Sequence, residues 1–486
     1  MNKTVNSSKW AFLNSSSQQL IGFLFFGGMT YLLSPEFFGV YAIGLIFSEI
    51  LCQLVRLGLS ANLINRKKNV SIALNNAFYS TLLIGILASI AFCYSASLIA
   101  SYFEISRYLL VLQIMSIIPL IFSLGSVPDA QLQRKFLYKK IAFATFLASL
   151  VSCLIAVVVA FTEFSELAFA FQKVIYEFIM LIIIWNSIKW RPSLLINYSI
   201  LKDQLRVGIP LLVAGLTNVA VNKLKDIFIA SVLGPSVLGL YRLAIKLQDF
   251  VVKLTLGPIT AIAIPSLARV KKSDFKGTLS SFIKWMAILS FPIFGGLAIT
   301  STDLLSVLFK DEWKDSALAL QMLCILGALS IYIHMFKPIF SVVERGGILV
   351  KLRVIHFFIL FALLYTTSKY GVFYIVLSEI LVTIILTFLG LLLLSKALNE
   401  NYFNLILSIK PAAVSTSLML VVLFIINYIA DNYLMINPLI SLILFSMLGL
   451  FTYALSMKVF FDRDFAVIVN YIRSSKLGFI FKKFLN

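Results

Sequence analysis

The chain has 486 residues, of which 60% are hydrophobic and only 13% are charged. A water-soluble protein of that length needs far more charged surface, so only a polytopic membrane protein fits. The formal net charge of +20 could by itself suggest nucleic acid, but loops on the cytoplasmic side of a membrane produce the same excess, and position decides between the two.

A membrane crossing takes roughly 20 apolar residues. In chain order, fourteen windows meet that requirement, at about 11–33, 38–62, 75–100, 108–127, 141–162, 166–188, 207–233, 238–262, 279–301, 317–342, 349–367, 372–396, 411–430 and 436–460. The first is diluted by Asn14, Ser15, Ser16, Ser17, Gln18 and Gln19, and the eleventh by Lys351, Arg353 and His356. No small-residue cleavage site follows the first window, which is expected to be a retained span.

The connecting loops alternate in charge. Arg66, Lys67 and Lys68 follow the second span, and Arg134, Lys135, Lys139 and Lys140 the fourth. Lys189, Arg191, Lys202 and Arg206 follow the sixth, Arg269, Lys271, Lys272 and Lys276 the eighth, and Glu344, Arg345, Lys351 and Arg353 the tenth. The intervening loops carry Glu163 and Glu166, or the mixed Asp311, Glu312, Lys314 and Asp315. Basic loops stay inside, so both termini are expected in the cytoplasm of a cell whose inner membrane holds the protein. The basic excess is then a topology signal, and no nucleic acid is expected.

Little else in the chain points to chemistry. Cys52, Cys93, Cys153 and Cys324 lie in apolar runs without metal-ligand spacing and are expected to be small buried thiols. His334 and His356 form no ligand set, and no phosphate-cradling, HExxH or GxSxG motif occurs. The expectation is therefore no enzyme, no catalytic residues, no metal and no cofactor. Asn2 and Asn6 match the glycosylation pattern, but on an inside terminus that means little. Trp10, Trp185, Trp190, Trp285 and Trp313 fall near span ends, as expected of an interfacial belt.

One nine-residue phrase is written twice. LSPEFFGVY at 33–41 returns as LGPSVLGLY at 233–241, so that Leu33, Pro35, Gly39 and Tyr41 recur as Leu233, Pro235, Gly239 and Tyr241. Each copy lies between an odd and an even span, and an even number of spans separates them. The duplication is therefore parallel, about an axis along the membrane normal. It predicts an all-α protein of about fourteen helices: a six-helix lobe over 1–200, a second over 201–400, two further helices over 401–461, and a basic cytoplasmic tail over 462–486.

LSPEFFGVY, followed by GLSANLINRKK at 58–68, resembles the N-terminal signature of Wzx-type polysaccharide and O-antigen flippases. These belong to the multidrug/oligosaccharidyl-lipid/polysaccharide exporter superfamily. The resemblance implies transport of an undecaprenyl-pyrophosphate-linked oligosaccharide from the inner to the outer leaflet, with a polysaccharide polymerase and other assembly proteins as candidate partners.

Ionisable residues inside spans cost roughly 2.5–3.5 kcal/mol each on insertion scales and should face a cavity. In the eighth span Arg242, Lys246, Asp249 and Lys253 follow i, i+4, i+7, i+11, a single helical stripe. In the second span Glu49, Gln53 and Arg56 repeat the spacing, and Glu49 and Asp249 share the register of the duplication. The seventh span adds Asn218, Asn222 and Lys225 on one face, with Lys223 and Asp226 nearby; Lys173 and Glu177 in the sixth read as a helix-stabilising pair. The excess of cations predicts a basic cavity in which Arg56, Lys223, Lys225, Arg242, Lys246, Lys253, Asn218 and Asn222 contact substrate, pyrophosphate being the matching anion. Glu49 and Asp249 are the candidates for ion coupling. Three alternatives stay open: a cation-coupled multidrug exporter, a peptidoglycan-precursor flippase, and an embedded polymerase or ligase, which the short outer loops disfavour. The tail, with Arg463, Arg473, Lys476, Lys482 and Lys483, reads as a surface segment drawn to anionic lipid.

Overall fold

In the computed structural model the described residues are 18–66, 68–430 and 437–467. Trp10, Asn14, the Asn2 and Asn6 sites and most of the basic tail lie outside them. Helix α1 covers residues 18–29, the described part of the first expected span. It is followed by α2 (Pro35–Arg56), α3 (Leu59–Asn65), α4 (Val70–Tyr102), α5 (Leu109–Met115), α6 (Ile118–Arg134), α7 (Tyr138–Ala160), α8 (Ala168–Ser187) and α9 (Tyr198–Leu233). The second half contains α10 (Pro235–Leu267), α11 (Lys272–Ile299), α12 (Ser301–Leu308), α13 (Ser316–Leu329), α14 (Ile331–Val342), α15 (Gly347–Thr367), α16 (Val372–Leu398), α17 (Lys410–Ile429) and α18 (Pro438–Phe460). Thirteen segments among the described residues are long and apolar enough to cross a membrane, and with α1 they give the expected count of about fourteen. No strand occurs among the described residues.

By contacts the chain forms two compact units: one runs to Arg242 and takes in Arg353–Val372, the other comprises Leu243–Leu352 and Phe373 onward. Within the first unit, α2 begins where the sequence places a start signal, with Pro35 opening its first turn, since proline lacks an N–H that would be unsatisfied there anyway. It stops at Leu57 and Gly58, both left-handed (φ 46° and 65°), and α3 resumes. The window at 38–62 is therefore a broken span. Hydropathy misses the break because Leu and Gly leave the apolar run intact.

The repeated turns meet in this unit. A Cβ on Gly39 would fall on the backbone carbonyl of Pro235, and a Cβ on Gly239 on that of Pro35. The contact is reciprocal and backbone to backbone, which only glycine permits. At the opposite end of α2, a Cβ on Gly58 would strike the carbonyl of Gly208, and one on Gly208 the carbonyl of Leu57. Between these points Gln53 lays its amide over Gly215. Helices α2 and α9 thus touch along nearly their whole length because small residues line the seam.

The connector from Trp190 to Asn197 is tied to α4 by two buried asparagines. Asn75 donates to the Ser193 hydroxyl (2.7 Å) and accepts from the Ser193 N–H (3.2 Å). Asn76 donates to the Asn197 carbonyl (2.8 Å) and accepts from its N–H (3.1 Å). Trp185 and Trp190 are more than belt residues: they stack 6.0 Å apart, both pack on Phe78, and the Trp185 indole donates to the Leu124 carbonyl at 3.1 Å. Trp313 also departs from the belt, being fully buried. All four cysteines lie in helices and form no disulfide, but only Cys324 is buried as expected: Cys52 and Cys153 are half-buried, and Cys93 is exposed on α4.

In the second unit α17 and α18 pack on each other, α17 on α11 and α18 on α12. Tyr453 donates to the Ile288 carbonyl (3.0 Å), Lys284 pairs with Asp464 (2.9 Å), and Ser441 donates to the Asp303 carboxylate. Close approach again uses glycine: Phe294 fills the space at Gly327, and Phe336 the space at Gly390.

Candidate functional site

The charged side chains of the first unit fall into two groups along α2. At 1.5 Å per residue, Arg242 and Asp226 lie about 10 Å from the end of the bundle that carries the two Pro turns. Lys223 and Glu49 lie about 15–20 Å from it, and Arg56 about 30 Å, at the end with the basic loops.

The first group is an ionic cluster. Lys223 of α9, 7% exposed, meets Glu49 of α2 at 3.1 Å. Asp226, 1% exposed, meets Arg242 at 3.3 Å. The Asp226 Oδ2 makes no well-directed hydrogen bond, so this contact is charge against charge. Each acid is matched by a cation, as burial demands of Asp226; the Glu49 side chain is 45% exposed. Lys223 and Arg242 thus account for Glu49 and Asp226, and the excess of positive charge inferred from the sequence does not reside in this cluster. Lys225 is half-buried on α9, and Asn218 and Asn222 are exposed on it. In the second unit Lys246 is half-buried on α10, whereas Asp249 and Lys253 are exposed along the same stripe.

The second group lines a partly open cavity of about 330 Å³ at the basic end of the first unit. Helices α2 and α3 contribute Arg56, Ser60 and Ile64, and α8 contributes Glu177, Met180, Leu181 and Ile184. Helix α6 contributes Phe122, Ser126, Asp129 and Gln133. Those four obey i, i+4, i+7, i+11, the same spacing that marks the stripe on α10. The expected span stops at residue 127, because hydropathy drops after Pro128, and so excludes Asp129 and Gln133. The helix in fact runs through Pro128 to Arg134, and extending the spacing rule by two turns would have found the site.

Its groups are held in place. Gln133 donates to Asp129 at 2.8 Å. Lys173 donates to Glu177 at 2.6 Å, the i, i+4 pair expected from the sequence, and lies 5.3 Å from the Tyr176 ring. The Arg56 guanidinium lies over the Phe122 ring, 5.0 Å from its centre, a favourable cation–π geometry. Gln18 of α1 reaches the Tyr176 hydroxyl at 3.4 Å. No group of three His, Cys, Asp or Glu side chains able to hold a metal occurs among the described residues.

Residues 29–318 match the family model described as polysaccharide biosynthesis protein. The chain belongs to that family. Curated relatives of this polysaccharide biosynthesis protein include the teichuronic acid biosynthesis protein TuaB of Bacillus subtilis (strain 168). It is 22% identical over 338 residues, covering 68% of this chain and 69% of TuaB. The lipopolysaccharide biosynthesis protein WzxC of Escherichia coli (strain K12) is 23% identical over 414 residues, 84% of each chain. The resemblance to Wzx-type flippases drawn from LSPEFFGVY and GLSANLINRKK is borne out. Among solved structures, the lipid II flippase MurJ in an inward closed conformation superposes with a TM-score of 0.74 at 13% identity, over 94% of this chain and 99% of MurJ. An inward-facing multidrug resistance transporter of the MATE family and MOP superfamily superposes with a TM-score of 0.60 at 16% identity, over 78% and 95%. At such identities these two likenesses define the fold alone.

Proposed function

We propose that this protein is a flippase that moves an undecaprenyl-pyrophosphate-linked oligosaccharide, a unit of O-antigen, capsule or exopolysaccharide, across the cytoplasmic membrane by alternating access. The observation that carries the reading is the family match over 29–318, on a chain whose intramembrane charges cluster on the helices of a duplicated unit. TuaB and WzxC, by name, serve the biosynthesis of two different surface polysaccharides, which supports the substrate class and leaves the sugar open.

In this reading the protein forms no covalent intermediate and hydrolyses no ATP. Both termini are cytoplasmic. Lys225, Lys246, Lys253 and Arg56 offer spaced cationic positions for the diphosphate, because a dianion cannot cross hydrocarbon unaided; Lys223 and Arg242, paired here with Glu49 and Asp226, would join them only when those pairs open, and Asn218 and Asn222 add amides beside them. Several weak sites suit release better than one tight site. Glu49 and Asp249 are the candidates for coupling to a proton or sodium ion, and Glu49 would exchange its partner Lys223 during the cycle. The duplicated six-helix lobes, 1–200 and 201–400, would rock about the shared axis.

A second reading, a flippase for a peptidoglycan precursor, is favoured by the MurJ-like fold. Deleting the gene and weighing the lipid-linked oligosaccharide that accumulates separates them. A surface-polysaccharide repeat unit on undecaprenyl diphosphate is expected. A peptidoglycan precursor would select the second reading, and no accumulation with increased drug sensitivity would select a multidrug exporter.

A further inference from the structure

The cavity formed by α2, α3, α6 and α8 contains only Arg56 of the cationic positions just named, and its chemistry differs from theirs. Two carboxylates, Asp129 and Glu177, face one guanidinium, Arg56, so a diphosphate would meet at least as much repulsion as attraction. A bound cation is equally poorly served, because Asp129 already accepts from the Gln133 amide (2.8 Å) and Glu177 from the Lys173 ammonium (2.6 Å). The remaining groups are an aromatic ring at Phe122, capped on one side by Arg56, the Ser60 hydroxyl, and the Ser126 hydroxyl, which donates to the Ser123 carbonyl (3.1 Å) and is left as an acceptor. An amide–carboxylate pair, two hydroxyls and an aromatic ring complement an uncharged polyol. The carboxylate and amide can accept from and donate to adjacent hydroxyls, and the ring covers the apolar C–H face of the sugar. At about 330 Å³ the cavity lies at the lower end of small-molecule sites, roughly 300–1,000 Å³, which suits a single sugar ring and not a whole repeat unit.

We propose that this cavity is a binding subsite for one uncharged sugar residue of the lipid-linked oligosaccharide, separate from the diphosphate positions on α9 and α10, with Arg56 at its edge the one residue common to both. The proposal rests on the flippase reading above. It gives the first unit a means of telling a glycosylated lipid from bare undecaprenyl diphosphate, so that empty carrier is not moved.

The test is native mass spectrometry of the full chain in detergent, with two probes: undecaprenyl diphosphate, and the lipid-linked oligosaccharide extracted from cells lacking the gene. The unaltered protein should bind the glycosylated lipid at least tenfold more tightly than the bare one. Gln133→Ala and Phe122→Leu should bring that ratio towards one while leaving affinity for undecaprenyl diphosphate unchanged. Gly125→Val provides the variant that removes no polar group. Gly125 lines the cavity, and a Cβ there meets only Leu181 Cδ1 at ordinary contact distance, 3.6 Å. It should fold, fill the cavity and lose the preference in the same way. A folded Gly125→Val protein that keeps the full preference overturns the proposal, as does an unaltered protein that binds both lipids equally. If the unaltered protein binds neither lipid, the flippase reading fails, and the subsite fails with it.

Discussion

The two copies of the repeated phrase, with the helices they open, are alike in one respect and unlike in another. Pro35 and Gly39 match Pro235 and Gly239, and in the folded unit each glycine rests against the other copy's proline carbonyl. Further along, the register diverges. Ala42 corresponds to Arg242, Ile46 to Lys246, Gln53 to Lys253 and Arg56 to Leu256, and only Glu49 and Asp249 keep an acid in common. The residues that set backbone approach were kept, whereas those that set charge were rewritten on one copy. Geometry tolerates no change where backbones touch, whereas an exposed position such as Asp249 or Lys253 can change its charge without disturbing packing.

This contrast can be broken by making the copies alike. The largest expected effect is on stability. Arg242→Ala restores the residue of the first copy and strands the buried Asp226, at about 3–5 kcal/mol, the usual result of removing one partner of a buried ion pair. Thermal unfolding of the purified protein should show the loss, and adding Asp226→Asn should recover most of it. If Arg242→Ala unfolds at the unaltered temperature, the pair is not structural. Next comes the geometric arm. Gly39→Ala or Gly239→Ala puts a methyl group on a backbone carbonyl and should disfavour this packing by about 1–3 kcal/mol, seen as reduced surface polysaccharide per molecule of membrane protein. Pro35→Ala and Pro235→Ala should lower protein yield more than transport per molecule.

The charge arm follows. Lys246→Ile with Lys253→Gln gives the second stripe the first copy's residues at those two positions, and should reduce polysaccharide export about tenfold, the worth of roughly one charge-assisted hydrogen bond, near 1.4 kcal/mol. Glu at Lys246, Lys253 or Arg56 should be worse than Ala. Normal export by all three Glu variants would end the cationic mechanism. The smallest effect belongs to a charge outside both copies. Lys314 donates to Asp311 at 2.7 Å and holds its carboxyl below the usual range. A depressed carboxylate adds stability above its unfolded value and loses it as pH falls through the folded one. Asp311 is fully exposed and screened, so Asp311→Asn should leave thermal unfolding unchanged between about pH 5 and 8.

The span count was legible because an apolar window of span length has few other uses. What escaped were features that hydropathy averages away. The break at Leu57–Gly58 sits inside an apolar run, and α6 continues through Pro128 just where hydropathy falls, which hid Asp129 and Gln133. The pairs Lys223–Glu49 and Arg242–Asp226 could be suspected from their depth but not assigned, because partners on different helices have no fixed spacing in sequence. Trp185, Trp190 and Trp313 were misjudged by composition: an indole near a span end is an anchor by default, and only the packed neighbours show otherwise.

The reciprocity at the two turns has a consequence for how such a chain can arise. Gly39 touching Pro235 while Gly239 touches Pro35 is the pattern of an isologous interface, in which residue i meets j and j meets i across a two-fold axis. In a dimer of identical subunits every substitution would be felt twice, once on each side of the axis, and the stripe behind the turn would have to carry the same charges in both. Joining the two copies in one gene lifts that restriction everywhere except at the axis itself. The turns therefore keep the symmetry of a homodimer, while the helices behind them are free to specialise.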